Sequence, residues 1–422
     1  MRLAPVTLLR HGSPALTGNG ETSSRFGRSP ELGHLHMCNI RRSSVHRLLP
    51  LVIFAAMMVC AEAFFRLIEF DFAYEERAWR QVPVFYRQPT VPTGEVFFRR
   101  TGAQTWTGQV ISTRMSQLGY QPNPYLDESV ISVVYDDDGF RNRPGVSDWR
   151  IAVAGDSFTE LGHLSDDELF TSVLASKLGV SVRNLGTSYT GPLSHLSYLR
   201  DYGVAAGTTH SIIIFFEGND LEDLAAEYED LRHWKETGQR PYREFKKQSS
   251  FVKAIAQLAK LVKHAATHDK EDLTTAYFKA TPSDIPITLG YAPEGSPDMS
   301  KETMRRLDYF LTQYAGFGHD RQIEVWLAFM PSKLRALHGK IEFSASAAER
   351  FRNWQPTDLP DVVSALCDEH GIGFLDLTPA LTTGTDIENR LLYNSMYDTH
   401  LNEAGSRVVG QELARHLSRE IP

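Results

Sequence analysis

From Arg150 to the carboxyl terminus, short apolar runs alternate with longer stretches of helical spacing. The runs are RIAVAG from Arg150, VSVRNLG from Val180, HSIIIFFEG from His210, IEVWLAFMP from Ile323 and IGFLDLT from Ile372. Apolar residues three and four apart predict helices over Asp167–Leu178, Leu193–Tyr202, Lys301–Tyr314, Asp358–His370 and Glu403–Leu417. Near-continuous apolar strands separated by helices must be covered on both faces. The expected fold class is therefore α/β, a three-layer α/β/α sandwich around a parallel sheet of about five strands. Ligands of such sheets sit beyond the carboxyl ends of the strands, so the residues after each run are where chemistry is expected.

The alternation stalls between the third and fourth runs, and residues 221 to about 300 read as an insertion. Within it, Phe251–Ala266 has apolar residues at helical spacing with lysines opposite, which predicts an amphipathic helix. Such a helix packs on a core, closes over a site or rests on a membrane surface. The next stretch, TPSDIPITLGYAPEGSP from Thr281, is expected to be loop. Upstream, residues 70–149 hold several prolines and short β-type runs, a lead segment of hairpins and extended chain. Its acidic DDDGF (Asp136–Phe140) lacks the alternate ligand spacing and terminal acid of a calcium loop. A hairpin turn with Gly139 at positive φ is expected instead.

One apolar stretch precedes the body. Leu48 to Ala61 is uncharged, and apolar character resumes at Phe64 and Phe65 after Glu62. Arg41, Arg42 and Arg47 stand before it, which keeps the amino terminus cytoplasmic and exports the rest of the chain. Residues 48–69 are expected to form a single amino-terminal transmembrane anchor, giving an inner-membrane protein with an exported, periplasmic domain. The other reading is a signal segment cleaved near Ala61-Glu62-Ala63, leaving a secreted protein. Residues 1–47 lack periodicity and read as a disordered basic tail, with Met37 as an alternative start of translation.

Charge narrows the partners. The whole chain carries a formal −8, but residues 1–47 hold seven arginines and only two glutamates, so the remainder is more acidic than the total. That argues against a nucleic-acid partner. Of three cysteines only Cys367 lies in the body, within a helical pattern, where it is expected to be a buried small hydrophobe. No zinc spacing, phosphate loop or dinucleotide fingerprint follows a strand, so neither metal nor organic cofactor is implied.

Three short motifs stand at strand ends: Gly155-Asp156-Ser157, Gly218-Asn219-Asp220 and Asp398-Thr399-His400. Acyl transfer needs a nucleophile, a base, a group that orients the base, and donors for an oxyanion. Serine, histidine, aspartate and asparagine supply these. Each motif also has a plain structural reading: Ser157 as a helix cap, Asn219 as a loop residue, Asp398 as a cap beside a surface histidine.

Taken in this order, GDSFTELG, VRNLGTSYTGPLSH, IIIFFEGND, FMPSKLRAL and YDTHLNEAG resemble the SGNH/GDSL esterase superfamily, in its membrane-anchored or exported bacterial branch. The GFRN sequence at Gly139–Asn142 resembles the lead that often precedes the first block there. The resemblance covers residues 150–422 apart from the insertion, and implies a flavodoxin-like fold. It implies Ser157 as nucleophile, His400 as general base and Asp398 as the residue that orients it. It further implies an oxyanion hole from the Ser157 N–H, a second-block N–H and the Asn219 side chain, with Gly155, Asp156 and Gly218 in support. The second-block donor is commonly a glycine five residues after the block's asparagine. Counting from Asn184 lands on Tyr189, so the donor is Tyr189 or a neighbour such as Gly191. Asp398 also precedes His400 by two residues, where many members have three.

The implied activity is a serine esterase acting on acyl, chiefly acetyl, esters of a small molecule or cell-envelope glycan. Transfer of the acyl group to an exported polysaccharide uses the same residues. A non-catalytic glycan-binding or assembly protein on the same fold is the reading from another class. Sequence leaves the oligomeric state open.

Overall fold

All five apolar runs are strands of one parallel sheet. In this computed structural model the described residues are 39–67, 86–87, 99–100, 102–109, 130–237, 275–290, 299–388, 390–396 and 398–421. In chain order they form α1 (Asn39–Leu67), β1 (Tyr86–Arg87), β2 (Arg99–Arg100), β3 (Gln104–Gln109), β4 (Val130–Tyr135), β5 (Ile151–Gly155), α2 (Ser157–Glu160), a 3₁₀ turn (Asp166–Glu168) and α3 (Phe170–Leu178). Next come β6 (Val182–Gly186), α4 (Pro192–Tyr202), β7 (His210–Phe216), α5 (Asp220–Thr237), β8 (Ala276–Phe278), β9 (Ile285–Ile287), α6 (Lys301–Arg321) and β10 (Glu324–Met330). The chain continues through α7 (Lys333–Ala336), β11 (Ile341–Phe343), α8 (Ala348–Phe351), α9 (Leu359–His370), β12 (Gly373–Asp376), α10 (Thr378–Glu388) and α11 (Glu403–Leu417).

The central sheet runs β12-β10-β7-β5-β6, with every neighbouring pair parallel. Alternation along a strand divides the core in two. Ile151 and Val153 face one layer with Phe170, Leu174, Leu381, Val409 and Leu413. Ala152 and Ala154 face the other with Leu196, Leu199, Phe310, Tyr314 and Val363. Helices α3, α10 and α11 therefore cover one face and α4, α6 and α9 the other, as double-sided burial demands. From β5 the chain goes to one neighbour, β6, and then across to the other, β7. In sheets of this kind ligands bind at such a reversal, here the carboxyl ends of β5, β6 and β7.

Several expectations change. The Lys301–Tyr314 helix extends to Arg321, where Gln322 caps it in a left-handed conformation. Asp166–Glu168 is a separate 3₁₀ turn, because Leu169 takes an extended backbone before α3. The start of the presumed insertion is α5, whose Leu224 and Leu231 belong to the core. The stretch expected to be loop contains β9, which joins β8 and β11 in a small antiparallel sheet. Short strands with an inward Ala276, Phe278 and Ile287 escape a periodicity scan. The amphipathic stretch 251–266 lies outside the described residues.

In the lead segment β3 pairs antiparallel with β4, and Gly139 sits at φ +88° in a turn that comes after β4 rather than joining two strands. Asp136 organises that turn by accepting from the N–H of Asp138 and of Phe140, both at 3.0 Å. Asp136 and Asp138 both pair with Arg183. Cys367 is fully buried, and burial pushes its thiol up to about 12.

Up to Phe64, α1 belongs to a separate compact unit of the chain. From Leu49 to Phe64 most of its large apolar side chains are exposed, Leu51, Val52, Phe54, Met57 and Val59 among them. Among the described residues no helix is long and apolar enough to cross a membrane. The expected transmembrane anchor thus has no support from the structure. The uncharged run from Leu48 stops at Glu62, and its 14 residues rise only about 21 Å against a hydrocarbon core of ~30 Å.

Candidate active site

The site begins where two strand ends pass without side chains. Gly155 of β5 lies opposite Gly186 of β6. A Cβ on Gly155 would stand 2.1 Å from Thr159 Oγ1, and one on Gly186 would stand 2.3 Å from Glu160 N. Only glycine lets α2 cross this closely over the sheet. Asp156 then caps α2, its Oδ1 accepting from Phe158 N–H at 2.9 Å. Burial, opposed by that hydrogen bond and by His400, raises the Asp156 carboxyl to about 6. Since Asp156 is the cap, the Ser157 hydroxyl is not needed as one. It stands 2.7 Å from His400 Nε2.

His400 and Asp398 come from the loop between α10 and α11. Tyr393 and Leu401 form an antiparallel bridge, and Asn394 N–H donates to His400 O at 2.8 Å, which closes the loop. Asp398 Oδ1 accepts both from His400 Nδ1 and, at 3.1 Å, from the His400 main-chain N–H. The two-residue spacing thus makes an Asx turn: the carboxylate that orients the imidazole also fixes the backbone carrying it. Asn394 Nδ2 donates to Asp398 Oδ2 at 2.8 Å, and His163 Nδ1 lies 3.8 Å from the same oxygen. Burial alone would raise the Asp398 carboxyl. The charge and hydrogen bonds of His400, with His163 beyond, outweigh burial and hold it well below the usual range. Phe158 packs on the His400 ring at 4.7 Å and stacks on Phe216, an apolar wall behind the imidazole.

Tyr189 lies three residues beyond β6. It adopts φ +66°, the left-handed region glycine would take at ease, and the residue is 58% exposed. Neighbours on both sides impose this backbone. Thr187 N–H donates to Gly155 O at 2.9 Å, and Ser188 gives its N–H (2.8 Å) and hydroxyl to buried Glu160 Oε2. Beyond Tyr189, buried Glu227 accepts from Gly191 N–H (2.8 Å), Leu193 N–H (2.9 Å) and Ser194 N–H (3.2 Å). A non-glycine residue in this conformation costs about 1–2 kcal/mol. Tyr189→Gly is expected to leave stability within about 1 kcal/mol of wild type, since relief of strain offsets added unfolded-state freedom. Tyr189→Val, branched at Cβ, is expected to lose at least about 1 kcal/mol relative to wild type. Urea unfolding of the three proteins checks both.

Asn219 follows β7 and Gly218, whose φ is not in the left-handed region. Its Nδ2 donates one proton to Asp223 Oδ2 at 2.5 Å, leaving the second proton of the amide group for another acceptor. Asp220 is fully buried and accepts from Phe216 N–H at 2.7 Å, tying the turn to its own strand. Glu217, at the end of the same strand, forms a buried ion pair with Arg335 at 2.7 Å and accepts from Ser332 N–H at 2.9 Å.

Ser157, His400 and Asp398 therefore stand in one hydrogen-bonded run, with Asp156 and Gly155 just before Ser157 in the chain. Tyr189 and Asn219 follow the neighbouring strands β6 and β7. Sequence reasoning missed Glu160, His163, Asn394 and Glu227. One signal was available for Glu227: it shares a face of α5 with Asp220 and Asp223, at spacings of three and four, a row of acids on a packed helix. Burial raises Glu227 to about 7 against the pull of its hydrogen bonds to Ser194 and Gly191. A carboxyl raised on folding stabilises fully below its unfolded value of 4.5 and loses that contribution as pH rises through about 7. Wild type is thus expected to lose stability relative to Glu227→Gln over that window, and a pH series of urea midpoints reads the difference. Among the described residues no cluster could hold a metal ion.

Fold and site together define a class: a parallel α/β domain with a serine–histidine–aspartate run at the carboxyl edge of its sheet. No family model matches the chain, and no curated protein matches it. Solved structures do. A protein assigned to a lipolytic G-D-S-L family, from Desulfitobacterium hafniense DCB-2, is 14% identical with a TM-score of 0.31, over 63% of this chain and 98% of that one. A lipase/acylhydrolase from Enterococcus faecalis is 13% identical, TM-score 0.32, over 65% of this chain and 97% of that one. An acetyl xylan esterase is 11% identical, TM-score 0.31, over 63% and 99%. These are distant likenesses in sequence and in superposition.

Proposed function

We propose that residues 150–422 form a serine esterase of the SGNH/GDSL type, working through an acyl-serine intermediate. The observation that carries this is the run from Ser157 Oγ to His400 Nε2 at 2.7 Å and from His400 Nδ1 to Asp398. With Nδ1 protonated toward Asp398, Nε2 is the acceptor. As Ser157 Oγ attacks the ester carbonyl carbon, its proton passes to Nε2, and Asp398 stabilises the imidazolium. The oxyanion takes hydrogen bonds from the Ser157 N–H, the Tyr189 N–H and the second Asn219 Nδ2 proton. The imidazolium then protonates the departing alcohol. Water, activated by the same base, releases the acid.

The acyl group is read as acetyl and the alcohol as a hydroxyl of a cell-envelope glycan. Support for the glycan is the resemblance of five sequence blocks to an exported branch, together with the arginines before the uncharged run at Leu48. On this reading the domain works outside the cytoplasm. A carboxyl-terminal reporter fusion tests that, and cytoplasmic reporter activity refutes it. The catalytic test exposes the purified chain to a fluorophosphonate and to p-nitrophenyl acetate. Labelling of Ser157 with hydrolysis is expected, and failure of both overturns the proposal. An added sugar acceptor separates transfer from hydrolysis through the acylated sugar it would form.

A further inference from the structure

The turn after β10 supplies none of the proposed reacting groups, yet it holds two buried cations. Arg335 reaches Glu217 beside the Asn219 turn. Lys333 is 0% exposed, and its Nζ donates to Thr288 O at 2.8 Å, Asn394 O at 2.7 Å and Asp398 O at 2.8 Å. An ammonium carries three protons and no acceptor, so these three carbonyls use all its donors. In this protonated form Lys333 has no donor left for a substrate.

The choice of carbonyls is informative. Asn394 and Asp398 are the two residues whose side chains bond each other just before His400, Nδ2 to Oδ2 at 2.8 Å. One ammonium therefore gathers the main chain at both, and closes the loop from inside. The third carbonyl belongs to the residue after β9, so the small sheet is fastened to the same point. Thr288 N–H also donates to Ser395 O at 2.8 Å, and Thr399 Oγ1 donates to Gly290 O at 2.9 Å. The turn itself is tied to the end of β7, where Glu217 accepts from Ser332 N–H and pairs with Arg335. Ser332 caps α7, accepting from Arg335 N–H at 3.2 Å, and Tyr393 OH donates to Pro331 O at 3.3 Å. Burying an ammonium is costly unless its donors are satisfied. Burial lowers the Lys333 amine to about 7, with the Asp398 charge opposing.

We propose that Lys333 is a positioning residue for the Asp398–His400 pair, its ammonium holding Asn394 and Asp398 at one point so that the carboxylate stays fixed on His400 Nδ1. This inference rests on the esterase reading for its kinetic consequence. Its geometric consequence does not depend on turnover.

The test is Lys333→Met in the full chain, with Lys340→Met as control. Lys340 Nζ also donates to a carbonyl, Thr382 O at 2.6 Å, but on α10, away from the loop. For Lys333→Met, kcat on p-nitrophenyl acetate is expected to fall ~10–100-fold with KM within about twofold, the cost of a misplacement near 1 Å. The downfield proton resonance of the Asp398–His400 hydrogen bond, expected in wild type, is lost. Lys340→Met changes neither. A folded Lys333→Met with wild-type kcat and an intact resonance overturns the proposal. Should Lys333→Met fail to fold, Lys333→Arg is read in its place. It keeps charge and donors, but a planar fork cannot direct three protons from one nitrogen to three carbonyls. The same losses are expected, and wild-type values overturn the proposal. If wild type neither labels nor hydrolyses, the esterase reading falls. The resonance in wild type and variant still decides whether Lys333 positions Asp398.

Discussion

Ser157→Ala is expected to abolish fluorophosphonate labelling and to lower kcat on p-nitrophenyl acetate by up to ~10⁶-fold, with only binding and the oxyanion donors left to act. The fold is expected to survive. Asp156, not Ser157, caps α2, so the missing hydroxyl leaves Phe158 N–H its partner. Thermal midpoint and circular dichroism should therefore match wild type. A variant that keeps more than about one hundredth of wild-type kcat would remove Ser157 from the reaction.

Asp398→Asn is expected to cost about 10⁴-fold in kcat with KM little changed. The carboxylate accepts on every side. Oδ1 faces two donors of His400, and Oδ2 faces Asn394 Nδ2. An amide in its place sets donor against donor in either orientation. With its NH₂ toward His400 it also imposes the tautomer whose Nε2 carries a proton and cannot take one from Ser157. The counter-charge to the imidazolium is lost as well. A loss below about tenfold would mean that Asp398 only shapes the loop. Measuring kcat and KM together with the folded fraction separates the two cases.

Much of the fold was legible, because double-sided burial writes itself into sequence. Five largely apolar runs joined by helices pointed to the strands of one parallel sheet, and all five are, with β12 and β6 at its edges. Amphipathic helices such as Glu403–Leu417 were legible for the same reason. The small sheet was not. Three-residue strands give no period, and they pair across long separations, Ile341 with Phe278 for example. The reach of α6 to Arg321 and the core role of α5 depend on what packs against them.

The site divides in the same manner. Ser157, Asn219, Asp398 and His400 were visible because chemistry restricts residue type and because strand ends restrict place. The departure at Tyr189 was visible too, but not its outcome. A tyrosine there leaves open whether the loop keeps a glycine-like turn. The answer is φ +66°, imposed by Glu160 on one side and Glu227 on the other.

By itself the sequence determined the layer order of the domain, the strand ends that carry Ser157 and Asn219, and the side chains that stand there. These come from local burial patterns and from the functional groups residues possess. Only the tertiary structure decided that Asp156 takes the cap and leaves Ser157 its hydroxyl, and that a two-residue spacing closes as an Asx turn onto His400. The same holds for the buried Lys333, Glu160, Glu227 and His163 that hold the loops in place. A buried polar residue is specified by partners far away in the chain, and no local pattern records which carbonyl or amide will be waiting for it.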